Sequence, residues 1–152
     1  MEIKMLKALF ANIPKDLVVV AEENQFNVIQ YAKQNGYKTR ETYTNIPATM
    51  RGLSANEILI IPNVPMSYRA VIETLYEKDA NVAILSPIIT FFGEFKQRVY
   101  RMRKVDFIFL SDHVDRQHRV FNLKETGNIL GVVWVLSIHG KTDNRVVFQE
   151  VE

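Results

Sequence analysis

At 152 residues the chain has the length of one domain, and 47% of it is hydrophobic and 24% charged. That is the balance of a globular protein able to bury about 70% of its extended-chain surface. It has no cysteine, which excludes a disulfide framework and favours a reducing compartment.

No apolar run approaches the roughly 18 residues of a membrane-spanning helix. Glu2, Lys4 and Lys7 interrupt what would be the apolar segment of a signal peptide. The expectation is one cytoplasmic domain, residues 1–152, with no membrane contact. The formal net charge is only +2, but residues 95–105 hold five of the 19 basic residues (Lys96, Arg98, Arg101, Arg103, Lys104) and no acid. The remainder carries 14 basic against 17 acidic residues. A local patch of this kind sets binding where net charge cannot.

Ile3, Leu6, Leu9, Phe10 and Ile13 recur at helical spacing as far as Pro14, which ends that element. Leu17 to Ala21 (LVVVA) is an unbroken apolar run, as a strand covered on both faces requires. Asn24 is placed to cap a helix through Asn35, with Phe26, Ile29, Tyr31 and Ala32 available inward and Gly36 beyond its end. Tyr37 to Tyr43 alternates as a second strand, and Asn45 to Leu53 reads as a loop or one helical turn.

Glu57 to Ile61 (EILII) is a third strand, stopped by Pro62, and Met66 to Lys78 is an amphipathic helix. Val82 to Leu85 gives a fourth strand, Phe91 to Lys104 a helix, and Asp106 to Leu110 (DFIFL) a fifth strand. Strands alternating with helices imply a three-layer, mostly parallel Rossmann-like sheet with right-handed crossovers. The last third changes character: Arg119 to Leu123, Ile129 to Ile138 and Arg145 to Val151 are strand-like and separated by KETGN and HGKTDN. Those turn compositions predict an antiparallel C-terminal extension or edge hairpin. The apolar segments GVVWVLSI and VVFQEV fit either the sheet interior or a dimer edge, so the sequence leaves the oligomeric state open.

The helix 91–104 is the most informative element. At about 100° per residue, Phe91, Phe95, Val99 and Met102 form one stripe, read as core. Arg98 lies four residues after Glu94, the spacing of an ion pair along a helix. The opposite face carries Lys96, Tyr100, Arg101, Arg103 and Lys104. An exposed aromatic ringed by cations suits a nucleic-acid backbone with a stacked base, or an acidic protein surface. A merely solvated face is the plain alternative.

Elsewhere the chemistry is sparse. In an open parallel sheet ligands bind outside the carboxyl ends of the strands. Here those ends read Glu22-Glu23-Asn24, Pro62-Asn63, Ser86-Pro87 and Ser111-Asp112-His113, although any such sheet ends in polar loops. The turn after the first strand, AEENQF, has acids where a phosphate cradle would have glycines. Gly140-Lys141-Thr142 looks like the end of a phosphate loop, but Val135 stands where the earlier glycine belongs and no helix follows; it reads as a hairpin turn. Asp112, His113, Asp115 and His118 could ligate a metal or pair with Arg116 and Arg119 in a solvated loop. Glu22 and Asp112, with His113, would hold Mg²⁺ in a metal-dependent phosphoesterase or nuclease. No motif calls for a cofactor, no catalytic set stands out, and no tightly held metal is expected.

From Asp16 to Pro87 the chain resembles the middle of helicase-like and terminase-like ATPase cores. LVVVAEENQFNVIQYAKQNGY is similar to the strand and helix that follow the nucleotide loop, MRGLSANEILIIPN to the segment leading into the acidic strand, and VAILSP to the next strand. No phosphate-binding loop precedes these pieces, and Pro62-Asn63 stands where the family has its acidic pair. The resemblance therefore implies a scaffold used near nucleic acid without the nucleotide chemistry. Taken together, the residues predict a non-enzymatic binding protein in nucleic-acid transactions acting through the 91–104 helix. An adaptor or inhibitor using the same face on an acidic partner, and the metal-dependent enzyme, are the alternatives.

Overall fold

A computed structural model of the protein describes residues 3–22, 27–62, 68–87, 93–111 and 132–151. In chain order these hold α1 (Ile3–Phe10), β1 (Val18–Glu22), α2 (Val28–Gln34), β2 (Thr39–Thr42), α3 (Ile46–Gly52), β3 (Glu57–Ile61), α4 (Tyr68–Glu77), β4 (Val82–Pro87), α5 (Glu94–Met102), β5 (Asp106–Ser111), β6 (Val132–Ser137) and β7 (Val146–Glu150). The chain is α/β. Its described strands form one mixed sheet in the order β2-β1-β3-β4-β6-β5-β7, mostly parallel, with β6 running against both neighbours. No helix among the described residues is long and apolar enough to cross a membrane.

The unbroken apolar runs of β1, β3 and β4 follow from burial on both faces. Successive side chains alternate between two cores. Val19, Ala21, Ile58, Ile60 and Ala83 pack with Leu6 and Leu9 of α1 and Val28 and Ala32 of α2. Val20, Leu59, Ile61, Val82 and Ile84 pack with Met50 of α3, Ile72 and Leu75 of α4, and Val99 and Tyr100 of α5. Helix α2 ends as its sequence suggests, with Asn35 as cap and Gly36 at φ +84°. The segment expected as a loop or single turn is the longer helix α3, because Asn45 Oδ1 accepts the Ala48 N–H at 2.8 Å and Pro47 sits in its first turn.

The C-terminal third contains the expected antiparallel part, in β6, but not an edge hairpin. Strand β6 is inserted between β4 and β5, and β7 lies beyond β5, parallel to it. Composition explains the difference. All but the first residue of β6 (VVWVLS) is buried, which suits an interior place, whereas β7 (VVFQE) has no fully buried residue and takes the margin. The strand expected at Arg119–Leu123 lies outside the described residues.

Trp134, in mid-β6, is fully buried, and its Nε1–H donates to the Met5 carbonyl at 2.9 Å, tying α1 to the sheet. Trp134→Ala is expected to lower stability by roughly 3–5 kcal/mol, read from urea unfolding; an unchanged midpoint would contradict this anchoring role.

A second tie crosses β1. Arg40 Nε on β2 donates to Glu57 Oε2 on β3 at 2.6 Å, and Glu57 Oε1 accepts from the Ser54 N–H at 3.0 Å and hydroxyl at 2.9 Å. The Arg40 bond, with those from Ser54, holds the Glu57 carboxyl down from 4.5 to about 2. A depressed carboxyl contributes stability that is present above its unfolded value and lost as pH falls through its folded value. Melting temperature followed from pH 4.5 down to 2 should therefore fall less steeply in Glu57→Gln than in the parent, with the variant less stable near neutrality.

Candidate functional site

A cleft lies at the amino end of the sheet, where β5 and β7 begin and β6 ends. It measures about 570 Å³, and Arg103, Lys104, Lys141 and Arg145 line it together with Asp79 and Asp143. Two segments far apart in sequence build most of it, the end of α5 and the 138–145 connection, with Asp79 added from between α4 and β4.

At the end of α5, Arg103 is the C-cap, and its Nε and Nη2 each donate at 2.7 Å, to the Leu75 and Tyr76 carbonyls. Those are carbonyls of the last turn of α4, which lack partners within their own helix. Lys104 follows in the left-handed conformation, φ +54°, which suits glycine and costs a side-chain-bearing residue roughly 1–2 kcal/mol. Asn144, also left-handed at φ +57°, donates its N–H to the Lys104 carbonyl at 3.3 Å.

The 138–145 connection is fixed from within and from below. The Lys141 and Thr142 N–H groups both donate to the Ile138 carbonyl, at 3.0 and 3.1 Å. The Thr142 hydroxyl accepts from the Ile138 N–H at 3.1 Å. The Lys141 and Thr142 amides are thus engaged within a closed turn. It is not the hairpin turn expected from sequence, because β6 and β7 lie on opposite sides of β5. Below it, Asp106, only 2% exposed, accepts the Asp143 and Arg145 N–H groups at 2.9 and 2.8 Å and the Arg145 guanidinium at 3.2 and 2.9 Å. The Asp106 carboxylate raises the Arg145 guanidinium above its ordinary value. At the other rim His139 Nδ1 pairs with the Asp79 carboxylate, and the His139 N–H donates to Asn81 Oδ1 at 3.0 Å. Among the described residues neither Lys104 nor Lys141 has a side-chain hydrogen bond or ion pair, so both ammonium groups are available to an anion.

The residues expected to form the basic face of α5 are divided by the structure. The inward stripe is Lys96, Val99, Tyr100 and Arg103, and the outer one includes Phe95, Arg98, Arg101 and Met102. The expected core stripe is therefore corrected: Val99 is buried, but Phe95 and Met102 are 37% and 44% exposed, and Phe91 lies outside the described residues. Tyr100 is likewise corrected from an exposed stacking platform to a core residue, 4% exposed. Its hydroxyl shares a 2.5 Å hydrogen bond with that of Tyr68, which lies 3.1 Å from Ser86 Oγ, and its ring meets Phe107 edge-on at 5.8 Å.

The helix turns this way because a buried phenol with a partner hides more surface than Phe95 or Met102 would. Lys96 and Arg103 flank Tyr100 with aliphatic stems and polar tips. The Lys96 ammonium sits 4.9 Å from the Tyr68 ring centroid, a cation–π contact. Burial, with Tyr68 beside it, pushes the Tyr100 phenol well above its ordinary value, so it stays neutral. Arg101 is exposed, and Arg98 reaches Glu94 at 3.8 Å between largely exposed side chains, a pair of little energetic weight.

At the carboxyl end, Glu22 lines a pocket of about 270 Å³ with Lys33 and Glu41. Asn24, Asn63, Asp112, His113, Asp115 and His118 lie outside the described residues. Among the described residues no three His, Asp or Glu side chains gather as a metal site would need. Sequence reasoning set Lys141 aside as a turn residue and placed Arg145 at the start of a strand; their only local signal is the flanking Gly140 and Asn144, both at positive φ. Comparisons with family models, curated proteins and solved structures find no match to this chain.

Tyr100→Phe keeps the ring and removes the hydroxyl. It should lower stability by roughly 1 kcal/mol and leave the salt dependence of any nucleic-acid binding unchanged; loss of binding in a folded Tyr100→Phe protein would return this residue to the interface.

Proposed function

We propose that the protein is a non-enzymatic binding protein that engages the phosphate backbone of nucleic acid at the amino-end cleft, with the exposed outer face of α5 extending the contact. The observation that supports this reading is the meeting of Lys104 and Lys141, both without a described partner, beside Arg103 and Arg145 on one cleft. Lys96 and Arg103 belong to the same basic helix but also fill structural places, so the burden of contact falls on Arg101, Lys104 and Lys141. The strained backbone at Lys104 adds weight, since a cation held where glycine fits better is a feature more readily kept for function than for folding. We read the two helical layers around the sheet as a three-layer Rossmann-like arrangement, and the helicase- and terminase-like stretch 16–87 as scaffold in this setting.

The second reading, an acidic protein surface, draws on Met102, which is 44% exposed and lines the same cleft. Competition between an oligonucleotide and an acidic protein separates the two readings.

The test is fluorescence anisotropy of labelled oligonucleotides over a range of salt. A Lys104→Glu/Lys141→Glu protein should bind more weakly, and the slope of log affinity against log salt should shrink by about 0.7–0.9 for each phosphate that is no longer neutralised. Lys104→Gly separates function from folding: it should raise stability by about 1 kcal/mol while weakening binding. Undiminished binding in both variants would move the function away from this cleft.

A further inference from the structure

The two margins of the sheet differ in chemistry. At one, β2 reads TRET and carries Arg40, tied to Glu57 at 2.6 Å, the kind of charged edge that resists strand pairing. At the other, β7 has no described strand on its outer side. There Val146 and Phe148 are 58% and 69% exposed. They are in register with Phe107 and Phe109 of β5, hence on the same face, and the Phe148 ring stacks on that of Phe109 at 5.4 Å.

We propose that β7 pairs antiparallel with β7 of a second copy of this chain, about a two-fold axis normal to the sheet that runs between the two strands beside Val147, joining two sheets into one. Such an axis keeps each residue on its own face, so only residues of the same parity can stand opposite each other. Centred on Val147, the register sets Val147 against its counterpart, Val146 against Phe148, Arg145 against Gln149 and Asn144 against Glu150. Every pair is chemically matched, and symmetry repeats each unlike pair. Centring on Phe148 instead would set Glu150 against Val146 and Arg145 against Val151, a charge opposite an apolar side chain at every repeat.

Charge favours the same occupant. The register sets Glu150 against the uncharged Asn144, and Arg145, already tied to Asp106 at 2.9 Å, against the uncharged Gln149. No like charges therefore stand opposite each other, whereas in-register parallel pairing would align Glu150 with Glu150 and Arg145 with Arg145. A second copy carries the complementary pattern by definition, as an isologous interface requires. The pairing rests on β7 alone, independently of nucleic-acid binding. Its consequence for the cleft is geometric: the two Arg145 residues would lie four positions apart along the joined strands, about 13 Å, bringing the clefts of the two copies onto one sheet.

The chain has no cysteine, which makes a register-specific test clean. Sedimentation velocity over increasing concentration should show a dimer. Phe148→Lys should raise its dissociation constant by at least about tenfold, or 1.4 kcal/mol, in a protein whose circular dichroism is unchanged. Under mild oxidation, a mixture of Val146→Cys and Phe148→Cys chains should cross-link, and neither alone should, because only the mixed pair stands directly opposite. A monomer at every concentration overturns the proposal. So does a dimer that Phe148→Lys leaves intact, or one in which the mixed cysteines fail to link.

Discussion

The arrangement of the C-terminal half depends on one buried carboxylate. Asp106 opens β5 at 2% exposure and accepts four hydrogen bonds, two from backbone and two from the Arg145 guanidinium. A buried carboxylate without donors is strongly unfavourable, so whatever segment passes beneath β5 has to supply them. The 138–145 connection does, and in doing so it crosses from β6 on one side of β5 to β7 on the other. The same contact aims Arg145 at the cleft, and Arg145 Nη2 in turn holds the Lys141 carbonyl at 2.8 Å. Strand order and the basic rim are thus two results of one interaction.

That crossing lets β6 occupy the sheet interior, and the interior place in turn accounts for its composition. With β4 on one side and β5 on the other, β6 meets helices on both faces: Trp134 and Leu136 join the core containing α1, while Val135 joins the core containing α5. The Trp134 bond to the Met5 carbonyl then fixes α1, the element farthest away in sequence, over the C-terminal strands. The first and last thirds of the chain are therefore held by mutual burial.

The parallel half was legible because its signal is local. Runs such as LVVVA and EILII state their burial outright, and Gly36 and Pro14 punctuate where the chain turns. The place of β6 was not legible, since an apolar run reports that it is buried but not between which neighbours. The rotation of α5 was hidden for a different reason. Apolar counting ranks Phe95 and Met102 above Lys96 and Arg103, yet the latter bury their stems and satisfy their tips on the Tyr68 ring and the α4 carbonyls. The cleft escaped notice because its two halves, at Lys104 and Lys141, lie 37 positions apart, and the Asp106 contacts, with the Asn144 bond to the Lys104 carbonyl, bring them together only in the fold.

Not every cation at this end of the sheet bears on binding in the same way. Helices that return the chain to the next strand's beginning point their C-termini there, and the partial negative charge of those ends attracts cations. Arg103 answers that demand directly by closing the last turn of α4, and Arg145 answers Asp106. Both would be present in a protein that bound nothing. Lys104 and Lys141 differ. Each extends from a backbone fixed by hydrogen bonds, yet among the described residues neither ammonium is used by the fold. A preorganised backbone carrying an uncommitted charge loses little freedom when an anion arrives, so the electrostatic gain is offset less by ordering. The structural cations shape the cleft and raise its potential; the two lysines are the cations that the fold leaves uncommitted among the described residues lining it.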